Sequence, residues 1–189
     1  MHVRILSKDD VERALPAREC IEVMATALGD LARGRVTQPL RSIVRPAGIA
    51  GAMALMPAGW APDDGPVLGL KIVCVFPGNR ALGEDAHQGA VLLLSGQTGM
   101  LVSLLNASTL TAIRTAAVSA LATRLLARKD AGDLALLGAG VQARAHLEAI
   151  AEVRAIRTVR VASRGVETAR RFASELGPRY PFPIRAVSS

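Results

Sequence analysis

The stretch Leu134-Ala135-Leu136-Leu137-Gly138-Ala139-Gly140-Val141-Gln142-Ala143 decides the fold of this chain. Its four leading apolar residues have the uniform hydrophobicity of a parallel strand that is buried on both faces. The remainder matches the pattern G-x-G-x-x-A, in which the first glycine permits a tight turn and the second lets backbone amides approach a diphosphate. The amides and dipole at the start of the following helix attract that anion. We therefore predict cofactor contacts at Gly138, Ala139, Gly140, Val141, Gln142 and Ala143.

Helices and strands alternate after this turn. Helical periodicity is predicted over 141–153 and 166–176, and short apolar strands over 158–162 and 184–187. A glycine turn alone can be purely structural, but within a βαβαβ alternation it indicates one half of a doubly wound, Rossmann-type parallel sheet. We place this NAD(P)-binding half at 130–189. Because half a sheet exposes an apolar edge, we expect a truncated domain and a partial sequence with residual cofactor contacts and no turnover.

The end of the second parallel strand bears on the choice of dinucleotide. An NAD site normally has Asp or Glu there for the ribose 2′-hydroxyl, whereas Arg accommodates the 2′-phosphate of NADP. Here Ser163 and Arg164 occupy the position, and the nearest carboxylate is Glu167, inside the next helix. Ser163 can donate to a phosphate and Arg164 can pair with it bidentately, so NADP(H) is favoured. NAD(H) stays open, with Arg164 then an ordinary surface residue.

The first 129 residues predict an α+β domain with an antiparallel sheet. Two helices open the chain, the first capped by Ser7 and Asp10 and the second running from Pro16 to about Arg33. A helix over 109–128 has small residues on nearly every face, which is typical of a buried helix that bridges two domains. The strands between them are predicted at 40–44, 53–56, 68–76, 90–94 and 100–105, the last two joined by a hairpin turn.

Three cations in this part have few acidic neighbours in sequence. Lys71 lies in a strand that is apolar on both faces, Arg114 lies in the small-residue helix, and Arg41 begins a strand. A buried cation must be paired, neutralised or directed at an anionic ligand. Each alone is explained by an exposed head group on a buried stem. Next to a dinucleotide site, the three together suggest a pocket for a substrate carboxylate.

Composition narrows the remaining classes. The net charge is +7, yet the basic residues are dispersed and only three Phe, one Tyr and one Trp are available for base stacking, so we expect no nucleic-acid partner. Cys20 and Cys74 lie in apolar segments, which suggests free thiols in a reducing compartment, the cytoplasm. No apolar run is long enough to predict a signal peptide or a membrane span. The three His share no ligand spacing with the Cys, so we expect no metal site.

Six segments together resemble the ornithine cyclodeaminase/mu-crystallin family over nearly the whole chain. The strand with the central lysine, the T-A-x-R-T-A-A helix and the G-x-G-x-Q turn are far more specific together than any one of them. The matching segments are 56–57, 68–73, 76–79, 87–89, 110–117 and 138–146.

This resemblance implies roles for individual residues. Arg41, Lys71 and Arg114 would hold the carboxylate of an amino or imino acid, with Lys71 as the candidate catalytic residue and Arg114 also near the cofactor. Gln88 would stand where the substrate domain touches the dinucleotide. We leave His87 unassigned and give His146 a packing role. The family also implies a homodimer through the N-terminal sheet, and its catalytic Asp corresponds to no residue up to Ser189.

Three functions follow from the resemblance. The first is an NADPH-dependent reductase of a small cyclic imino acid, or ketimine carboxylate. The second is ornithine cyclodeaminase, a lyase with bound NAD, against which Ala54 counts because the true cyclodeaminases have Glu at that place. The third is a non-catalytic, crystallin-like protein that binds NADPH.

Overall fold

The chain forms two compact units. The computed structural model describes residues 2–63 and 65–188, so Met1, Asp64 and Ser189, which fall within the predicted domains, lie outside the described residues. The first unit comprises residues 1–16 and 25–111, and the second comprises 17–24 and 112–189. The two compact units divide inside a helix at 111/112. The functional domain boundary that the sequence predicts at 129/130 stays a prediction.

In the described part of the chain, the first unit is built on a seven-stranded sheet. The strand order is β1-β7-β6-β5-β4-β2, and β3 also pairs with β4. Helix α2 contributes its last eight residues to this unit and α3 its first five. The elements are β1 (Arg4–Leu6), α1 (Lys8–Ala14), α2 (Ala17–Ala32), β2 (Val36–Thr37), β3 (Ser42–Val44), β4 (Ala52–Trp60), β5 (Val67–Val75), β6 (His87–Ser95), β7 (Leu101–Asn106) and α3 (Ala107–Leu126).

The prediction of a purely antiparallel sheet is wrong in one strand. β1 pairs parallel with β7, with Arg4 opposite Ser103, so the sheet is mixed. β1 has only three residues and its partner lies about a hundred residues away in sequence, which leaves no local alternation from which to predict it. The capping box predicted at Ser7 is present, because the Ser7 side chain accepts from the Asp10 amide and Asp10 accepts from the Ser7 amide.

A buried carboxylate joins the end of α2 to the sheet. Asp30 is 2% exposed. It accepts a hydrogen bond from Trp60 Nε1 at 2.9 Å and pairs with the guanidinium of Arg35 and, at 3.4 Å, with that of Arg33. The Trp60 hydrogen bond and the arginine charges lower the pKa of Asp30 against the opposing effect of burial. The ionised carboxylate is therefore the form that this cluster stabilises.

Asp30→Asn should lower the thermal unfolding midpoint at pH 7 by roughly 5–10 °C, because it removes one partner of a buried charge cluster. Since the pKa of Asp30 is lowered in the folded state, its contribution exists above the ordinary carboxyl pKa and is lost as the pH falls through the lowered value. The difference between variant and wild type should therefore shrink in acid, as circular dichroism melts at pH 7 and pH 3 would show. Asp63→Asn is the matched control, because Asp63 also contacts Arg35 but is 99% exposed. Equal melting of all three proteins would contradict the assignment.

The second unit contains an entirely parallel three-stranded sheet in the order β10-β9-β8. One face carries the core, in which Leu136, Val159 and Val161 pack against Leu147 and Phe172 from the helices. The elements are β8 (Asp133–Leu137), α4 (Val141–Ala151), β9 (Thr158–Ala162), α5 (Val166–Leu176) and β10 (Ile184–Ala186), together with 17–24 of α2 and 112–126 of α3.

The prediction that β8 is buried on both faces is wrong for the described residues. Ala135 and Leu137 are exposed, Leu137 by 92%. The paired residues on the same face, Arg160 and Arg185, are also exposed. The reason is that α4 and α5 both pack on the opposite face of the sheet.

The Arg154 side chain forms hydrogen bonds to the C-terminal end of α3 in the second unit. Its Nη2 donates to the carbonyl oxygens of Thr123 at 2.6 Å, Ala127 at 3.0 Å and Arg124 at 3.2 Å. The Thr123 carbonyl also accepts from the Ala127 amide at 3.1 Å, whereas the Arg124 carbonyl belongs to the last turn, whose carbonyls lack a following helical amide. Because Arg154 follows closely on α4, which ends at Ala151, the C-terminal ends of α3 and α4 lie side by side.

Candidate cofactor and carboxylate sites

The turn between β8 and α4 has the geometry of an anion-binding loop. Gly138 has φ of +114°, a value that side chains disfavour, and its amide donates to the Ala162 carbonyl at 2.8 Å. Gly140 precedes the helix in extended conformation, and no side chain caps the first turn. A Cβ added at Gly138 or Gly140 would meet no atom within 4 Å. The turn therefore leaves open space at the start of α4, where the first amides have no intrahelical partner and no side-chain cap, and a diphosphate site requires both.

The end of β9 presents cationic and polar groups. Arg164 is exposed and makes no ion pair with the residues that the structure describes, whereas Glu167 is paired with Arg170 at 2.5 Å. Helix α5 begins after Gly165 without a side-chain cap, so its first amides lie next to Arg164. The Ser163 hydroxyl donates to the Gly165 carbonyl at 2.6 Å and so supports this turn. Its predicted contact with a phosphate stays a prediction.

Lys71 lies in the middle of the sheet of the first unit. It is half-buried and stands opposite Met56 on one side and Val91 on the other. Its Nζ donates to Thr111 Oγ1 at 2.6 Å, and Thr111 Oγ1 in turn donates to the Ala107 carbonyl at 2.6 Å. Because the hydroxyl proton is committed to Ala107, the Thr111 oxygen acts as an acceptor that orients the ammonium. Lys71 is therefore a paired cation in this structure, and its predicted roles as a substrate ligand and catalytic residue stay predictions.

Arg41 directly precedes β3, the strand beside β4. The first residue of β3, Ser42, pairs with Leu55, and the next residue of β4, Met56, pairs with Lys71. Residues opposite one another in antiparallel strands project to the same face. Continued by one residue, this register would set Arg41 opposite Met56, and two strand spacings would then put the backbones of Arg41 and Lys71 about 10 Å apart, within reach of one small anion between two long side chains. Arg41 is exposed and has no ion pair in the described ranges.

Comparison with known proteins shows which family has this fold and these motifs. The sequence profile described as the ornithine cyclodeaminase/mu-crystallin family matches residues 1–189. The chain belongs to this family.

Individual relatives and solved structures are similar to this chain over most of its length. The chain is 36% identical over 173 residues to the ketimine reductase mu-crystallin of Mus musculus, covering 89% of this chain and 55% of that protein. It is 33% identical over 185 residues to a Delta(1)-pyrroline-2-carboxylate reductase of Bacillus cereus, covering 98% and 56%. The Thermococcus litoralis Delta(1)-pyrroline-2-carboxylate reductase, solved in complex with NADH and L-proline, superposes with a TM-score of 0.91 at 34% identity, covering 99% and 57%. The chain thus spans little more than half the length of these relatives.

The structure does not bring two of the residues predicted from the family resemblance, Gln88 and Arg114, together with Lys71 in one site. Gln88 pairs with Cys74 in β6, so register puts it on the face opposite Lys71, where it is exposed and its Nε2 donates to the Asp85 carbonyl at 3.3 Å. The structure therefore does not bring Gln88 together with Lys71, and its cofactor contact stays a prediction. Arg114 is exposed on α3 in the second unit and lies near the buried thiol of Cys20. Burial raises the pKa of that thiol, while the Arg114 charge acts in the opposite direction.

Sequence reasoning missed two polar contacts near these sites. Thr111 is the hydrogen-bond partner of Lys71, although 40 residues separate them. Ser119 on α3 meets His146 on α4, with 3.0 Å between Oγ and Nε2. Both contacts need tertiary structure, and the only sequence signal is that Thr111 and Ser119 are hydroxyl residues in a helix otherwise rich in Ala.

Across 2–63 and 65–188, no three His, Cys, Asp or Glu side chains are grouped so as to hold a metal ion. Over the same ranges, every helix is too short or too polar to cross a membrane.

Proposed function

We propose that this chain is the cofactor- and carboxylate-binding part of an NADP(H)-dependent reductase that acts on the C=N bond of a small cyclic imino acid. In this proposal, the βαβαβ of the second unit is the first half of a doubly wound dinucleotide-binding domain. The first unit is the substrate and dimerisation domain. The observation that carries the proposal is the open start of α4 beside an end of β9 that offers Arg164 and no free carboxylate.

The amides that begin α4 fit a diphosphate, and Arg164 with the first amides of α5 fits a 2′-phosphate. The bound dinucleotide would supply the hydride. Arg41 and Lys71 would bind the substrate carboxylate from one face of the sheet, which fixes the orientation of the adjacent imine. Their positive charge would also make the imine carbon more electrophilic. The part of Arg114 in carboxylate binding stays a prediction from the resemblance.

The relatives support an imino-acid substrate. Ketimine reductase and Delta(1)-pyrroline-2-carboxylate reductase are both named for C=N substrates, and each is at least 33% identical to this chain. Ala54 lies on the same face of β4 as Met56 and offers no carboxylate to the side-chain amine of a diamino acid. This counts against ornithine as the substrate.

A homodimer through the first sheet is part of the same proposal. The face opposite Lys71 is apolar along β5, with Leu68, Leu70 and Ile72 projecting from it, and Leu68 is 46% exposed. An exposed apolar sheet face of this kind is typical of a protein interface. Sedimentation equilibrium tests it.

Fluorescence titration with NADPH and NADH tests the cofactor assignment. The wild-type chain should bind NADPH about 10- to 100-fold more tightly than NADH, because charge-assisted hydrogen bonds from arginine to phosphate are worth about 1.5–3 kcal/mol. Arg164→Leu should bring the two affinities close to parity by weakening NADPH alone. Arg171→Leu is the matched control, since Arg171 is exposed on α5 and has no ion pair with the described residues. Tighter binding of NADH by the wild type would reverse the assignment.

A further inference from the structure

We propose that His146 is a positioning residue for the dinucleotide site, because its hydrogen bond to Ser119 sets α4 against α3. The first observation concerns the imidazole. His146 Nδ1 lies 2.7 Å from the Gln142 carbonyl oxygen, which can only accept, so Nδ1 carries the proton of the neutral ring. Nε2 is then an acceptor. The Ser119 hydroxyl has one proton and lies 3.0 Å from Nε2 and 3.3 Å from the Thr115 carbonyl oxygen, so it donates along the shorter contact, to Nε2. The ring thus joins the first turn of α4 to the middle of α3.

The second observation is the direction of the two helices in the second unit. Arg154, beyond the end of α4, donates to carbonyls at the C-terminal end of α3. Ser119 and His146 meet at positions that precede this contact along both helices. Two contacts in the same order along both helices mean that α3 and α4 run parallel.

The parallel arrangement fixes which residues stand at the same level. Arg114 precedes Ser119 by five residues, and Val141 precedes His146 by five residues. At 1.5 Å per residue, both lie about 7.5 Å before the hydrogen bond. Arg114 is therefore level with the first residue of α4, but five residues turn a helix by about 140°, so the Arg114 side chain projects away from the face on which Ser119 meets His146. What the Ser119–His146 bond fixes is the position of α4 along α3, and with it the open start of α4 at which the diphosphate would dock.

This inference rests on the proposed function and predicts that the Ser119–His146 bond affects the affinity for NADPH through the start of α4. His146→Leu removes the bond, and we expect NADPH to bind about five- to tenfold more weakly in a fluorescence titration. His146→Gln keeps a polar atom near the place of Nε2 and should stay within about twofold of wild type. Ser119→Ala should match His146→Leu, and the double variant should be no weaker, because both changes remove one bond.

The decisive readout is a double-mutant cycle with Gly140→Ala, which adds a methyl group in the open space at the start of α4. If His146 acts by positioning this helix start, His146→Leu should change NADPH affinity by less than about twofold once the methyl group blocks it. If His146 only packed, its replacement would lower the melting temperature, and the fold-changes in affinity of the two single variants would multiply in the double variant. That result would overturn the inference. Unchanged affinity of His146→Leu would overturn it as well. Failure of the wild-type chain to bind NADPH is a different result, which overturns the proposed function together with this inference.

Discussion

Gly140→Ala should weaken NADPH binding by about 100-fold while leaving the fold intact. Gly140 has φ of −92° and ψ of −168°, which alanine adopts without strain, and an added Cβ meets no protein atom within 4 Å. The new methyl group would enter the open space at the start of α4, where the diphosphate of the proposed function docks. The diphosphate would then lose about two hydrogen bonds at the weaker end of the range of about 1.5–3 kcal/mol for a charged group, which corresponds to roughly 100-fold in affinity. Fluorescence titration measures the affinity, and circular dichroism melts should agree with wild type to within a few degrees.

Gly177→Ala is the matched control for that experiment. Gly177 lies at the end of α5 in helical conformation, and a Cβ there also meets nothing within 4 Å. It should melt like wild type or slightly higher and bind NADPH unchanged. Gly138→Ala is a less clean test, because φ of +114° strains any side chain and would lower stability together with affinity. Wild-type affinity of Gly140→Ala would show that no diphosphate docks on α4.

The start of α4 also differs from that of α1 in a way that favours a ligand. α1 has Ser7 as its N-cap and a full capping box, whereas α4 and α5 both follow a glycine and have no side-chain cap. A serine or aspartate cap would occupy the very amides that bind an anion. α2 also has no side-chain cap, and the Thr168 amide of α5 donates to the Gly165 carbonyl at 3.0 Å, so the missing cap at α4 agrees with a ligand there but is not specific to it.

The second unit was more predictable from sequence than the first. β9 and α5 occupy the predicted 158–162 and 166–176, because short apolar strands and a strongly amphipathic helix are local patterns. β1 and β2 have three and two residues and exist through pairing with β7 and β4, so no local pattern foretells them. Tertiary pairing, not propensity, defines such strands.

The candidate sites likewise divide into those set by a local sequence pattern and those set by tertiary pairing. The glycine turn is a contiguous motif, and the structure has it where the sequence predicts it, at the start of α4. The face on which Gln88 lies depends on register, which the loop between β5 and β6 sets, and a shift of one residue would move it to the other face. The partner of Lys71 likewise depends on where α3 begins relative to the sheet. Sequence identifies such residues but not their neighbours.

Lys71→Met should weaken the binding of pyrrole-2-carboxylate, a planar cyclic carboxylate, by about 10- to 100-fold, since it removes a charge-assisted hydrogen bond to the anion. Stability should hardly fall, because methionine suits an apolar strand and Thr111 keeps its own bond to Ala107. Isothermal titration calorimetry in the presence of NADP⁺ measures the affinity. Lys8→Met is the control, because Lys8 is exposed on α1 and only 3.9 Å from Glu12, a pair worth little. If Lys71→Met bound the carboxylate like wild type, Lys71 would have no part in carboxylate binding, and the anion would have to bind elsewhere.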